Sequence, residues 1–161
     1  MTVPEFDQLV AQWKYWTNIA GIAHVSVDRQ DGVTEIGFRS DEGAYFLRRD
    51  GDWWSVDETD DRGKTYPATV SCSTVPLAQK YLIWTWATTA RTVIGAPQLG
   101  RRFQQQGFNT EVHSSESSRA NFVQLITPNG TAEVPGSKSI ILSHVMPMPL
   151  AQLIETLGEG L

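Results

Sequence analysis

Gly63-Lys64-Thr65 is the kind of tripeptide that closes a phosphate-binding loop. The full pattern needs a glycine five residues before Gly63, where Glu58 stands. It also needs a helix next, whereas Tyr66-Pro67 reads as strand. The acidic run just before would repel phosphate, so this reading fails. His24, His113 and His144 are far apart and none has metal-ligand spacing. Cys72 with a histidine is in principle a nucleophilic pair. However, it lies between Val70 and Val75 beside an apolar helix, where cysteine is commonly inert core. No serine sits in a G-x-S-x-G elbow. No catalytic constellation rises above background. The chain is therefore expected not to be an enzyme and to need neither metal nor cofactor.

Binding is the chemistry that remains. Asp60, Asp61, Arg62, Gly63, Lys64, Thr65 and Tyr66 make the best surface candidate. One reading is a solvated hairpin tip. The sharper reading is a plug for a concave site. Gly63 lets the backbone approach closely, Lys64 carries three donors on a flexible stem, and Tyr66 adds rigid contact area. Trp53 and Trp54 are adjacent on a strand and point to opposite faces. Trp53 is expected on the face away from the core, either covered by the second half of the chain or exposed as a partner anchor.

The element that positions all this is a helix over residues 74–95. Leu82, Ile83, Trp86, Ala90, Val93 and Ile94 share one face, and Leu77, Tyr81 and Trp84 widen it. A helix apolar around so much of its circumference sits inside a domain. Ser73 or Thr74 can cap it, Pro76 fits its first turn, and Gly95 can end it. An N-terminal helix carries Phe6, Leu9, Val10, Trp13, Trp16 and Ala20, opened by Thr2 and Glu5 as a capping box and stopped by Gly21.

Between the helices the period changes to two. A turn at Asp31-Gly32 pairs Val27 with Ile36 and Val25 with Phe38. A turn at Asp50-Gly51 pairs Leu47 with Trp54, Tyr45 with Val56 and Arg48 with Trp53. Residues 66–72 form a fifth strand, with Pro67 held to an edge. Beyond the long helix the reading is a short helix over 101–106, a strand over 108–113, a loop over 114–120, strands over 122–126 and 131–134, a strand over 139–145, and a closing helix bearing Leu150, Leu153, Ile154 and Leu157. Strands in blocks between helices predict a single α+β domain over 1–161, its antiparallel sheet wrapped on the central helix.

The 161 residues allow one substantial core. A net charge of −5 and a pI near 5.1 argue against binding a nucleic-acid backbone and permit a basic protein partner. The single cysteine forms no internal disulfide. With no basic-then-apolar leader and no apolar run near ~20 residues, no membrane segment is expected and the reading is cytoplasmic.

Three patterns carry a resemblance: Trp13-Lys14-Tyr15-Trp16 leading to Ala20-Gly21, the Tyr45-Phe46-Leu47-Arg48 and Gly51-Asp52-Trp53-Trp54 hairpin, and Ala78-Gln79-Lys80-Tyr81-Leu82 with Arg91. With them the chain resembles the immunity protein 61 family. The resemblance implies an antitoxin that binds a folded, NAD-hydrolysing toxin domain, 1:1, and protects the producing cell. An acidic inhibitor suits a cleft built for an anionic substrate. On that view Asp60 and Asp61 stand in for phosphate charge and Lys64 for the cationic nicotinamide end. A cytosolic secretion chaperone is the alternative, and a small-molecule enzyme the third reading.

Overall fold

Helical spacing and caps set the two long helices, and a computed structural model describes residues 3–29 and 35–161. Helix α1 (Pro4–Ala20) buries Phe6, Leu9, Trp13, Trp16 and Thr17 along one face. Val3 occupies its N-cap position, while Thr2 lies outside the described residues. Gly21, at φ +69°, ends it, donating its N–H to the Asn18 carbonyl.

Helix α2 (Val75–Val93) is capped by Thr74, whose Oγ1 accepts the Leu77 N–H. Residues 77–84 are all buried, including Gln79 and Lys80. Val93 and Ile94, expected on the buried face, are 59% and 48% exposed. In that last stretch Ala90 and Arg91 take the inward positions instead. The two helices run side by side in the same direction. Gln8 meets Gln79 at 2.9 Å, and the rings of Trp13 and Trp86 lie 5.0 Å apart. Trp86 also packs on Phe38 and Tyr45, at 4.8 and 6.0 Å, which fastens α2 to the sheet.

The sheet is open and antiparallel, in the order β1-β2-β3-β4-β5-β8-β7-β6. Its strands are β1 (Ser26–Arg29), β2 (Glu35–Ser40), β3 (Gly43–Asp50), β4 (Trp53–Thr59), β5 (Thr65–Cys72), β6 (His113–Glu116), β7 (Phe122–Thr127) and β8 (Gly130–Pro135). Helix α3 (Leu99–Gln106) follows α2, and α4 (Ser139–Val145) and α5 (Leu150–Leu157) close the chain against it. The architecture is α+β.

Both hairpin registers differ from the sequence reading by two residues. Val27 faces Phe38, and Leu47 faces Val56. A shift of two keeps every side chain on its face, so the core pattern survives. The second turn is Gly51-Asp52, with Gly51 at φ +63°, one step later than expected. Arg48 then faces Ser55 and pairs with Asp57, while the cation over an indole is Arg49 on Trp54. The Asp31-Gly32 turn lies outside the described residues.

Downstream, three expectations fail. Residues 139–145 are helix α4, because Leu142, Val145 and Met146 bury one helical face despite the Ile140-Ile141 pair. Residues 108–112 form a turn held by Asn109, whose Oδ1 accepts the Glu111 N–H while its own N–H donates to Ser143 Oγ. The serine-rich segment contains strand β6, which pairs through Ser114 with Leu125 and so forms a polar sheet edge.

Candidate functional site

Antiparallel order brings the β2–β3 turn and the β4–β5 turn to the same end of the sheet. Gly43 couples them: a Cβ there would collide with the Thr59 carbonyl. The β4–β5 tip is tightly built. Asp60 Oδ1 accepts the N–H groups of Arg62 and Lys64 at 3.0 and 2.9 Å. The Asp60 N–H donates to the Lys64 carbonyl, and Gly63 adopts φ +85°. The hydroxyls of Thr59 and Thr65 meet at 3.1 Å across the base. The Lys64 ammonium lies 4.9 Å from the Tyr66 ring centre. Asp61, Arg62, Gly63, Lys64, Thr65 and Tyr66 are exposed, with Tyr66 at 43%. Asp60 is half-buried and spends one oxygen holding the turn, which leaves Asp61 as the outward carboxylate.

Trp53 is half-buried and faces Asp50 at the other end of β4. Six residues of strand lie between it and Asp60, a span of about 23 Å. Residues 60–66, consecutive in the chain, share the β4–β5 turn, and Trp53 is set apart from them.

A polar cluster anchors the tip from behind. Glu58 accepts from the Tyr81 hydroxyl at 2.7 Å and from Thr69, and Lys138 Nζ donates to Tyr81 Oη at 3.2 Å. Burial first, then the Glu58 charge, pushes the Tyr81 phenol far up. The same causes push Tyr45 up to about 12. Both phenols stay protonated near neutrality, and Tyr81 donates to Glu58. Next to the cluster the β5 ladder breaks. Ala68 sits at φ +48°, Asp57 accepts its N–H at 2.8 Å, and Arg119 donates to the carbonyls of Pro67 and Ala68. β5 meets β8 only at Ser71 and Cys72, so Pro67 does lie on an open edge.

The other reactive residues are dispersed. His24 is exposed and bonded to Asp41 at 2.7 Å; that bond, then the charge, raises its pKa. His113 is exposed on β6. His144 bonds the Gly107 carbonyl at 2.6 Å and stacks on Phe103. Cys72 is fully buried and its thiol is pushed up by burial, so it stays unreactive. Gly63-Lys64-Thr65 runs into strand β5, not a helix. Among the described residues no three His, Cys, Asp or Glu side chains group to hold a metal. No single helix among them is long and apolar enough to cross a membrane.

Two buried cations escaped sequence reasoning. Lys80 Nζ donates to the Met146 carbonyl at 2.9 Å, and burial lowers its pKa. Arg91, 2% exposed, donates to the carbonyls of Pro97, Leu157 and Glu159. Their signal was a charge inside an otherwise apolar helix, which demands a polar partner.

No curated protein matches the chain. Among solved structures, Rv3902c from M. tuberculosis is similar at a TM-score of 0.68 and 17% identity, over 90% of this chain and 86% of that one. At that identity the likeness shows the fold. The family described as immunity protein 61 matches residues 16–159. That match spans nearly the whole chain, tip and anchoring cluster included, and the chain belongs to the immunity protein 61 family.

Proposed function

We propose that this chain is an antitoxin that binds the folded catalytic domain of a cognate NAD-hydrolysing toxin, 1:1 in the producing cell's cytoplasm, and blocks its active site with residues 60–66. Membership of the immunity protein 61 family supports the antitoxin role. The resemblance of the sequence patterns to that family is what supports an NAD-hydrolysing target. The observation that carries the blocking step is the tip itself, an exposed turn locked by Asp60 and backed by the Glu58–Tyr81 cluster.

A preformed tip loses little conformational entropy on docking, so more of its contact energy becomes affinity. Self-protection at nanomolar affinity needs about −12 kcal/mol, typically over ~1,600 Å² of total buried surface. The tip alone is too small for that, and the adjoining Asp41-Glu42 turn extends it. The acidic groups Asp41, Glu42 and Asp61 suit a cleft that binds an anionic dinucleotide. Lys64, over the Tyr66 ring, presents a cation among them. Trp53 joins the interface only for a partner that extends along β4.

The test is NAD hydrolysis by the purified toxin domain titrated with this protein. Stoichiometric loss of turnover at one equivalent supports the reading. Binding only to an unfolded or exported segment, with hydrolysis untouched, overturns it in favour of a secretion chaperone.

A further inference from the structure

Next to the β2–β3 turn, α1, α2 and β3 enclose a cavity of about 70 Å³. Its walls are Trp13 and Trp16 from α1, Trp86 from α2 and Tyr45 from β3. Three of these rings stand steeply against one another. Trp13 and Trp86 are inclined at 56°, Trp13 and Tyr45 at 69°, and Tyr45 and Trp86 at 77°, with centres 5.0, 5.9 and 6.0 Å apart. Rings set this way form the corner of a box. Their N–H groups are withheld from it. Trp13 donates to the Ser26 carbonyl at 3.3 Å and Trp16 to Gln12 at 2.9 Å, while the Trp86 N–H is covered from solvent. The box is therefore walled by ring carbon, and the electron-rich faces of such rings attract cations.

The charge around it has one sign. Among the lining residues Glu42 alone is charged, and none is basic. Glu42 is exposed on the turn and makes no ion pair among the described residues. Glu58, opposite Tyr45 across the β3–β4 ladder, adds a second carboxylate beside that residue. Thr17, Ser40 and Thr89 contribute hydroxyl oxygens to the lining. Size narrows the ligand further. The space suits a few waters or one charged head group, not a whole metabolite. What enters is then the end of a longer chain held outside.

We infer that this box receives a basic side chain, lysine or arginine, of the protein partner. That the partner is the toxin rests on the antitoxin reading. Ser40 and Glu42 flank the turn that Gly43 couples to the tip, so a partner seated on the tip also reaches the box. There the cation exchanges water for ring faces and the Glu42 carboxylate.

The test is indole N–H NMR of the full chain titrated with n-butylammonium and n-butylguanidinium chlorides, against sodium chloride and n-butanol. Saturable shifts of the Trp13, Trp16 and Trp86 signals are expected with a cation and not with butanol, and the tighter cation identifies the side chain. Glu42→Gln should weaken the cation about threefold or more. Thr89→Arg, a bulky cation at the exposed rim, should abolish its binding, both variants melting as the parent does. Added toxin domain should displace the bound cation, and Thr89→Arg should bind toxin about tenfold more weakly or worse. No saturable shift, or equal shifts with butanol, overturns the box as a cation site. Cation binding that toxin leaves undisturbed overturns the partner assignment while the antitoxin reading stands. A toxin domain that ignores the parent protein sinks the antitoxin reading and the partner assignment with it, and the butylammonium titration still decides the box.

Discussion

Arg91 shows how one residue can hold a structure together through carbonyls alone. It joins the end of α2 to the loop at Pro97, to the last carbonyl of α5 at Leu157 and to the Glu159 carbonyl beyond it. Replacing it with methionine keeps most of the volume but strands those acceptors. Charged hydrogen bonds are worth ~1.5–3 kcal/mol each and are not additive. We expect Arg91→Met to lose about 3 kcal/mol or more, read as a lower urea midpoint. His24 behaves in the opposite way, as an exposed titrating group. Its raised pKa means that the Asp41 pairing stabilises the fold fully below the unfolded value of ~6.5. That contribution is lost as pH rises through the folded value. NMR titration should place His24 above ~6.5 in the parent and back near it in Asp41→Asn.

Among the elements, β5 carries the strain. Ala68 at φ +48° pays roughly 1 kcal/mol for its left-handed backbone, and glycine removes that penalty. Ala68→Gly should raise stability by up to about 1 kcal/mol, whereas Gly43→Ala, blocked by the Thr59 carbonyl, should lower it by ~2 kcal/mol. Chemical denaturation measures both. The same elements mark where sequence reading reached its limit. Both long helices, their glycine stops and the strand faces were legible, because spacing and caps are local properties. The hairpin registers were not, because loop length decides them and a shift of two leaves the alternation intact. Helix α4 was misread because Ile140-Ile141 favours a strand while burial of Leu142, Val145 and Met146 favours a helix. The tip residues were legible as a turn, but the Glu58–Tyr81–Lys138 support was not. Its members are 23 and 57 residues apart in pairs that only the fold brings together.

At the scale of the molecule, the sheet and its central helix carry the end that the proposed antitoxin reading turns toward the toxin. Trp86, set among Trp13, Phe38 and Tyr45, ties the helix to that end. No bond-making chemistry is needed for such a device, only shape, charge and stiffness. The most direct measurement is inhibition of the cognate toxin's NAD hydrolysis by a variant whose residues 61–64 are replaced with a two-residue Asn-Gly turn, alongside Lys64→Ala. Both should melt close to the parent, since the removed side chains are exposed. The account predicts at least a hundredfold weaker inhibition for the shortened tip and a smaller loss for Lys64→Ala. Parent-like inhibition by the shortened tip would contradict it.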